Sequence, residues 1–357
     1  MKKNFFKTIS LKFLIIIFWI LFFGIFIFLV SYQRSSRRLT ILAWSDILDP
    51  VAIAQFERET GIAVSVSNFS TNEELFVKLK SAAQGEYDLI IPSDYAISLL
   101  RKENLLKPLE REKIEVWPHL NPLLLGHPFD PDNTYSIPFS WEIFGLGIYK
   151  PYFALGQSPH DWDAIFDIQK IRYPLCMVND SIEAINMAAF YLYGPVNALS
   201  GQQRTACSRL LKEQKSLVKA YSDFRADYFL ITENCPVVVA SNSYIWRAFK
   251  QYPMIDFVIP TSGTFITIEN CALPVKSRND IAVYKFINFI LRPEIVLQHA
   301  EKYAFCPTRT DIIADLSFSE KQKAIIRSSP EAFKTYHFFE PLVTEQQKND
   351  IWVYVKS

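Results

Sequence analysis

Between Leu39 and Ile91, short apolar strand candidates alternate with amphipathic helix candidates, an order that points this part of the chain to an α/β architecture. Leu39 to Ala43 reads as a strand, and Asp49-Pro50 then offers a helix start with Asp at the cap and Pro in the first turn. Phe56 falls on the inward face of that helix, and Gly61 sits where a glycine ends one. Ile62 to Ser67 alternates like a strand. Ser70 to Glu74 shows capping-box spacing twice, and Leu75, Leu79 and Ala82 mark one helical stripe behind it. Asp88 to Ile91 is a buried strand ending at Pro92-Ser93, which predicts a mainly parallel sheet. The alternation returns with strands at 174–178 and 237–240 and helices at 181–193, 244–249, 279–291 and 293–303. No fixed-period repeat or low-complexity tract interrupts it. With only 10 glycines in 357 residues, short crossings between compact units are expected rather than flexible linkers.

Ahead of this region, Phe13 to Tyr32 carries no charge for 20 positions. At a rise of about 1.5 Å per residue such a helix is about 30 Å long, enough to cross a bilayer's hydrocarbon core. The run ends at Leu29-Val30-Ser31-Tyr32 without a small-x-small cleavage site, so an uncleaved signal anchor is expected. A lipid-modified terminus is not expected, because the first cysteine is Cys176. Four basic residues before the run and three after it barely distinguish its two ends.

Charge and chemistry then exclude several classes. Seven of the 38 basic residues precede Leu39, leaving 31 against 37 acidic ones, a formal balance of about −6 for the remainder. A nucleic-acid partner would call for the opposite sign; a cationic or neutral ligand suits this one. Cys176, Cys207, Cys235, Cys271 and Cys306 have no metal-ligand spacing, and buried free thiols are expected. The five histidines are scattered, and no nucleophile elbow, phosphate loop or dinucleotide fingerprint is present, so no enzyme, cofactor or metal site is predicted. Asp180 and Glu183 keep a carboxylate-dependent hydrolase open as an alternative, weakened by their spacing on one helix face.

Several segments together resemble the bacterial spermidine/putrescine-binding proteins: Ala43–Tyr95 with its DLIIPSDY block, Phe129–Trp141, Asn179–Gly194, Glu269–Pro274 and Phe286–Tyr303 with its LRPE block. The likeness runs from about Leu39 to Asp311 and fades over the last 45 or so residues. It implies a two-lobed periplasmic-binding-protein fold (type II-like), which the uncharged run would precede as one N-terminal transmembrane helix. The residues ahead of Leu39 are expected to divide into a cytoplasmic basic segment at 1–12, a signal anchor at 13–32 and a linker at 33–38. Lobe 1 would comprise 39–145 plus 265–310, and lobe 2 would comprise 146–264 plus 311–357. The implied role is extracytoplasmic: a monomer on the outer face of the inner membrane captures a small cationic solute and delivers it to the permease and ATPase subunits of an ABC importer. A membrane-anchored ligand sensor without transport is the other binding reading.

A polyamine site needs carboxylates for its ammonium groups and aromatic faces for its methylene chain. Trp44 and Ser45 follow the first strand, and Ser93 and Tyr95 follow the DLII strand, the edges where open α/β sheets place ligands. All four match family contacts in the resemblance; Asp180 and Glu183 fall on its second-lobe contact positions, and Glu269 takes the place of the family's amine-binding aspartate. Asp46, Trp141, Ser241, Tyr244 and Thr267 are secondary candidates, whereas Asp88, at the start of its strand, reads as structural. Four family aromatics are replaced, by Ile47, Ser241, Thr267 and Cys306, which leaves the ligand's identity open.

Overall fold

The computed structural model describes residues 15–24, 38–154, 156–222 and 225–357. Residues 15–24 form helix α1 with exposed side chains. The rest of the predicted anchor (13–14 and 25–32), the basic segment 1–12 and most of the linker lie outside the described residues. Among the described residues, no helix is long and apolar enough to cross a membrane.

The first α/β layer forms as the sequence pattern requires. It comprises β1 (Arg38–Trp44), α2 (Pro50–Thr60), β2 (Ala63–Phe69), α3 (Asn72–Ser81), β3 (Leu89–Ile91) and α4 (Asp94–Lys102), followed by the short β4 (Leu106–Lys107). Asp49 caps α2 by accepting a hydrogen bond from the Val51 N–H, and Gly61 ends the helix at φ +68°, a conformation that suits glycine. Thr71 Oγ1 accepts from the Glu74 N–H while the Glu74 carboxylate accepts from Ser70 N–H, which fixes the start of α3 at the mouth of the cleft described below. Asp88 accepts from the Thr40 N–H at 3.0 Å, a structural role beneath the β1–β3 pair.

The middle of the chain contains β5 (Ser136–Tyr149), α5 (Asp163–Phe166), β6 (Leu175–Met177), α6 (Ser181–Tyr193), α7 (Gly201–Gln214), β7 (Val218–Tyr221), α8 (Asp227–Ile231), β8 (Val237–Ser241), α9 (Asn242–Trp246), β9 (Ile255–Val258) and β10 (Thr264–Pro274). The rest comprises α10 (Asp280–Ile290), α11 (Pro293–Tyr303), β11 (Cys306–Pro307), α12 (Glu320–Ile326), α13 (Pro330–Phe333), β12 (Tyr336–Phe338) and α14 (Glu345–Lys356). Helix α9 stops at Trp246, three residues short of the sequence expectation.

The strands run in the order β2-β1-β3-β10-β5-β8-β6-β7. Strands β2, β1 and β3 are parallel, as are β8, β6 and β7, but β5 and β10 run antiparallel to their neighbours in this order, while β12 pairs with β10 in parallel. The parallel expectation read from Leu39–Ile91 holds for β1, β2 and β3, but the sheet as a whole is mixed. Strand β5 explains the two lobes: residues 136–143 pair with β10, and from Phe144 onward the strand pairs with β8 and β9. Gly145 lies where this exchange occurs, and a Cβ there would come 2.5 Å from the Val258 carbonyl oxygen. Strands β5 and β10 escape a search for alternation because both are buried along almost their whole length.

In the first lobe, Phe56 packs edge-on against Phe286 and Phe289 beneath β1. A separate core on one face of the β8-β6-β7 part of the sheet joins Leu175 and Val237 to Met187 of α6, Leu211 of α7, and Ile351 and Val355 of α14. All five cysteines are buried free thiols.

Candidate functional site

A cavity of about 710 Å³ opens between the ends of β1 and β3, the middle of β5 and β10, and the N-terminal turns of α3, α6 and α14. Its floor follows from the pleat. Residues two apart on a strand share a face, and residues opposite each other across a ladder do too. Thr267 and Glu269 therefore point the same way from β10, with Glu142 opposite Thr267 on β5; all three line the cavity. Ser93 bridges Glu269 from the end of β3, which brings Asp94, the first residue of α4, beside it.

The result is a close group of three carboxylates: Asp94, Glu142 and Glu269. Asp94 is 2 % exposed and accepts from the Ile268 N–H at 2.9 Å. Burial pushes its pKa up to about 7, against the lowering effect of that hydrogen bond. Glu269 is raised well above the usual carboxylate range by burial and then by the charges of Glu142 and Asp94; only a hydrogen bond from Trp44 Nε1, at 2.9 Å, opposes this. What surface Glu269 retains faces the cavity. No Lys or Arg side chain among the described residues pairs with any of the three carboxylates.

Rings surround this floor. Trp44 is held by its bond to Glu269 and by contact with Phe69, their ring centroids 4.4 Å apart. Tyr95, Phe144 and Tyr244 contribute further faces, joined by Tyr303, Phe305, Phe339 and Trp352 from segments where the sequence reading placed no site residue.

A second acidic group lines the same cavity where its carboxylates are more exposed to solvent. Glu73, at the start of α3, and Glu345, at the start of α14, share the ammonium of Lys348, with separations of 2.7 and 2.8 Å. The Lys348 side chain is only 8 % exposed, whereas its partners are 55 % and 64 % exposed. Burial alone would lower the Lys348 pKa, but hydrogen bonds to Glu345 and Glu73 overcome that and raise it to about 12. Tyr95 is pushed to about 12 by burial, then by the Glu345 charge, with Glu73 and Asp180 adding to it.

Of the residues singled out from sequence, Trp44, Ser45, Asp46, Ser93, Tyr95, Asp180, Glu183, Ser241, Tyr244, Thr267 and Glu269 all line the cavity. Trp141 does not. It occupies the opposite face of β5 from Glu142, is fully buried, and donates its indole N–H to the Pro307 carbonyl. Ser241 and Ser93 also have protein partners, Ser243 Oγ and Asn72 Oδ1. Asp180 caps α6 through the Ile182 and Glu183 N–H groups, so its position already serves the helix. Of the replaced aromatics, Ile47, Ser241 and Thr267 line the cavity and Cys306 is buried behind it. Residues missed by the sequence reading include Asp94, Glu142 and Lys348. Asp94 was detectable as the acid beside Ser93 in the DLIIPSDY block, whereas Glu142 and Lys348 need the strand register and the C-terminal helix.

Comparison with known proteins fits this geometry. A family model described as bacterial extracellular solute-binding protein matches residues 51–325. The chain is 30% identical over 279 residues to the spermidine/putrescine-binding periplasmic protein of Escherichia coli, covering 77% of this chain and 78% of that protein. It is 29% identical to the putrescine-binding periplasmic protein of the same organism, with the same coverage. A crystal structure of the spermidine/putrescine ABC transporter substrate-binding protein from Streptococcus pneumoniae superimposes with a TM-score of 0.76 at 26% identity, covering 90% of this chain and 98% of that one. These relatives are binding proteins, which removes the ground for the hydrolase reading of Asp180 and Glu183. The chain belongs to the family of bacterial extracellular solute-binding proteins.

Proposed function

We propose that this protein is the extracytoplasmic component of an ABC importer and captures a polyamine or similar small amine cation between its lobes. The observation that carries the ligand class is the group of Asp94, Glu142 and Glu269, which has no Lys or Arg partner among the described residues. Buried like charges raise one another's pKa, and a bound ammonium reverses that cost by supplying the missing opposite charge. The rings above the floor suit an alkyl chain and a cation, each cation–ring contact contributing about 0.5–2 kcal/mol. The similar proteins' printed ligands, spermidine and putrescine, have this chemistry. Within the cavity we assign ligand contact to Trp44, Ser45, Ser93, Tyr95, Asp180, Glu183 and Glu269, with Asp46, Ser241, Tyr244 and Thr267 in supporting places.

The lobe bounds 39–145 plus 265–310 and 146–264 plus 311–357 rest on the change of partners along β5 and on the packing of α14 against α6 and α7. Residues 13–32 would anchor a monomer to the outer face of the inner membrane; the uncharged run supports the anchor and the extracellular family supports the face. Its test is protease treatment of intact spheroplasts: an inaccessible domain contradicts it.

The ligand class is tested by thermal unfolding with putrescine, cadaverine, spermidine, lysine or a neutral diol. A ligand at about 100 times its Kd adds roughly 2.7 kcal/mol of stability. A shift with amines and none with the diol supports the proposal. A shift with the diol alone, or with none of the panel, contradicts it.

A further inference from the structure

The cleft contains an ammonium of its own. Lys348 enters the cavity from α14, whose start is fixed by Thr344 accepting from the Gln347 N–H and by Gln347 reaching back to the Thr344 N–H. Its Nζ links two cavity-lining elements: Glu73 of α3, 275 residues earlier in the chain, and Glu345 of α14 itself. Glu73, Glu345 and Lys348 line the same cavity as Tyr95 and Asp180, two of the assigned ligand contacts, and their charges act on the Tyr95 hydroxyl. A buried lysine held by two carboxylates is expensive to displace, since removing it leaves acidic groups unpaired. The inner group of Asp94, Glu142 and Glu269 has no such resident cation among the described residues.

We infer that Lys348 occupies the outer end of the cleft as a tethered ammonium and thereby sets the length of the ligand, admitting a short amine cation seated on the inner carboxylates and disfavouring a longer one with a further ammonium reaching the outer end. This rests on the amine-cation reading above and adds to it a specificity-determining residue outside the segment that matches the family model, residues 51–325. A long triamine must either displace Lys348 from Glu73 and Glu345 or place a second positive charge beside it, and both cost affinity. A short diamine meets neither penalty.

The test measures the dissociation constants of putrescine and spermidine for the full-length wild type and for Lys348→Met, Lys348→Gln and Lys348→Arg, each checked for cooperative unfolding. The wild type is expected to prefer putrescine by about tenfold or more. Lys348→Met and Lys348→Gln are expected to bind spermidine about tenfold tighter than the wild type does, while putrescine changes less than about threefold. Lys348→Arg, which keeps the charge, is expected to retain the wild-type order. A merely structural lysine would weaken both ligands together, and that result overturns the inference. So does a wild type that binds spermidine as tightly as putrescine, a comparison that needs no variant to fold. If neither amine binds the wild type, the amine-cation reading itself fails; if both bind but the ratio is unmoved in the variants, only the role of Lys348 fails.

Discussion

The inner and outer acidic groups of the cleft have similar composition and opposite electrostatic states. Glu73 and Glu345 at the outer end share Lys348, and their charges hold its ammonium protonated to about pH 12. Asp94, Glu142 and Glu269 at the inner end have no Lys or Arg partner among the described residues; Asp94 is pushed up by burial and then by the Glu340 charge, Glu269 by burial and then by the charges of Glu142 and Asp94, and the Ile268 N–H and the Trp44 indole oppose these shifts. Counting acids along the wall would not separate the two. What distinguishes them is whether the fold supplies the counter-charge, and an end left without one is where an external cation gains most.

The largest effect should come from removing the charge at the centre of the inner group. Glu269→Gln is expected to weaken amine binding by about 100-fold in calorimetric titration, in line with the ~2–5 kcal/mol cost of truncating a buried charge pair. An unchanged affinity would erase the contrast between the two ends. Asp94→Asn should follow at about tenfold, since the amide can still accept from the Ile268 N–H. It also carries a pH signature. A carboxyl whose folded pKa is raised, here from 3.8 to about 7, binds its proton more tightly in the folded state. Stability from this group is therefore greatest below the unfolded value and is lost as pH rises through the folded one. The ligand-free wild type should lose a few degrees of Tm between about pH 4 and pH 7 relative to Asp94→Asn, with the curves parallel above that. A pair of Tm curves parallel throughout would mean that Asp94 is not strained. Trp44→Phe keeps a ring and deletes the donor to Glu269, so a loss of several-fold in affinity is expected, read by the same titration. Trp141→Phe should leave affinity within about twofold while lowering Tm, because its indole bonds Pro307 on the far face of β5.

Much of this arrangement is legible in the sequence. The caps at Asp49 and Thr71, the glycine end at Gly61 and the strand edges at Trp44 and Ser93 follow from local chemistry, and they deliver Trp44, Ser93 and Tyr95 to the cleft. Strands β5 and β10 were hidden because strands buried on both sides lack alternation, and with them went the register that sets Glu142 beside Glu269. The same blindness put Trp141 among the candidates and passed over Glu142, though the pleat sends only Glu142 to the cavity face. Lys348 was hidden for another reason. Its partner Glu73 is distant in the chain, and a lysine in the first turns of an amphipathic helix ordinarily faces water.

The central claim is that the inner carboxylates wait for an external ammonium, and proton linkage tests it most directly. Putrescine binding should be titrated calorimetrically at pH 7 in two buffers of different ionisation enthalpy. The account predicts that binding releases protons from the Asp94 and Glu269 group, on the order of half a proton or more per site, because the incoming charge restores their ordinary acidity. Binding with no net proton exchange, or with proton uptake, would contradict it.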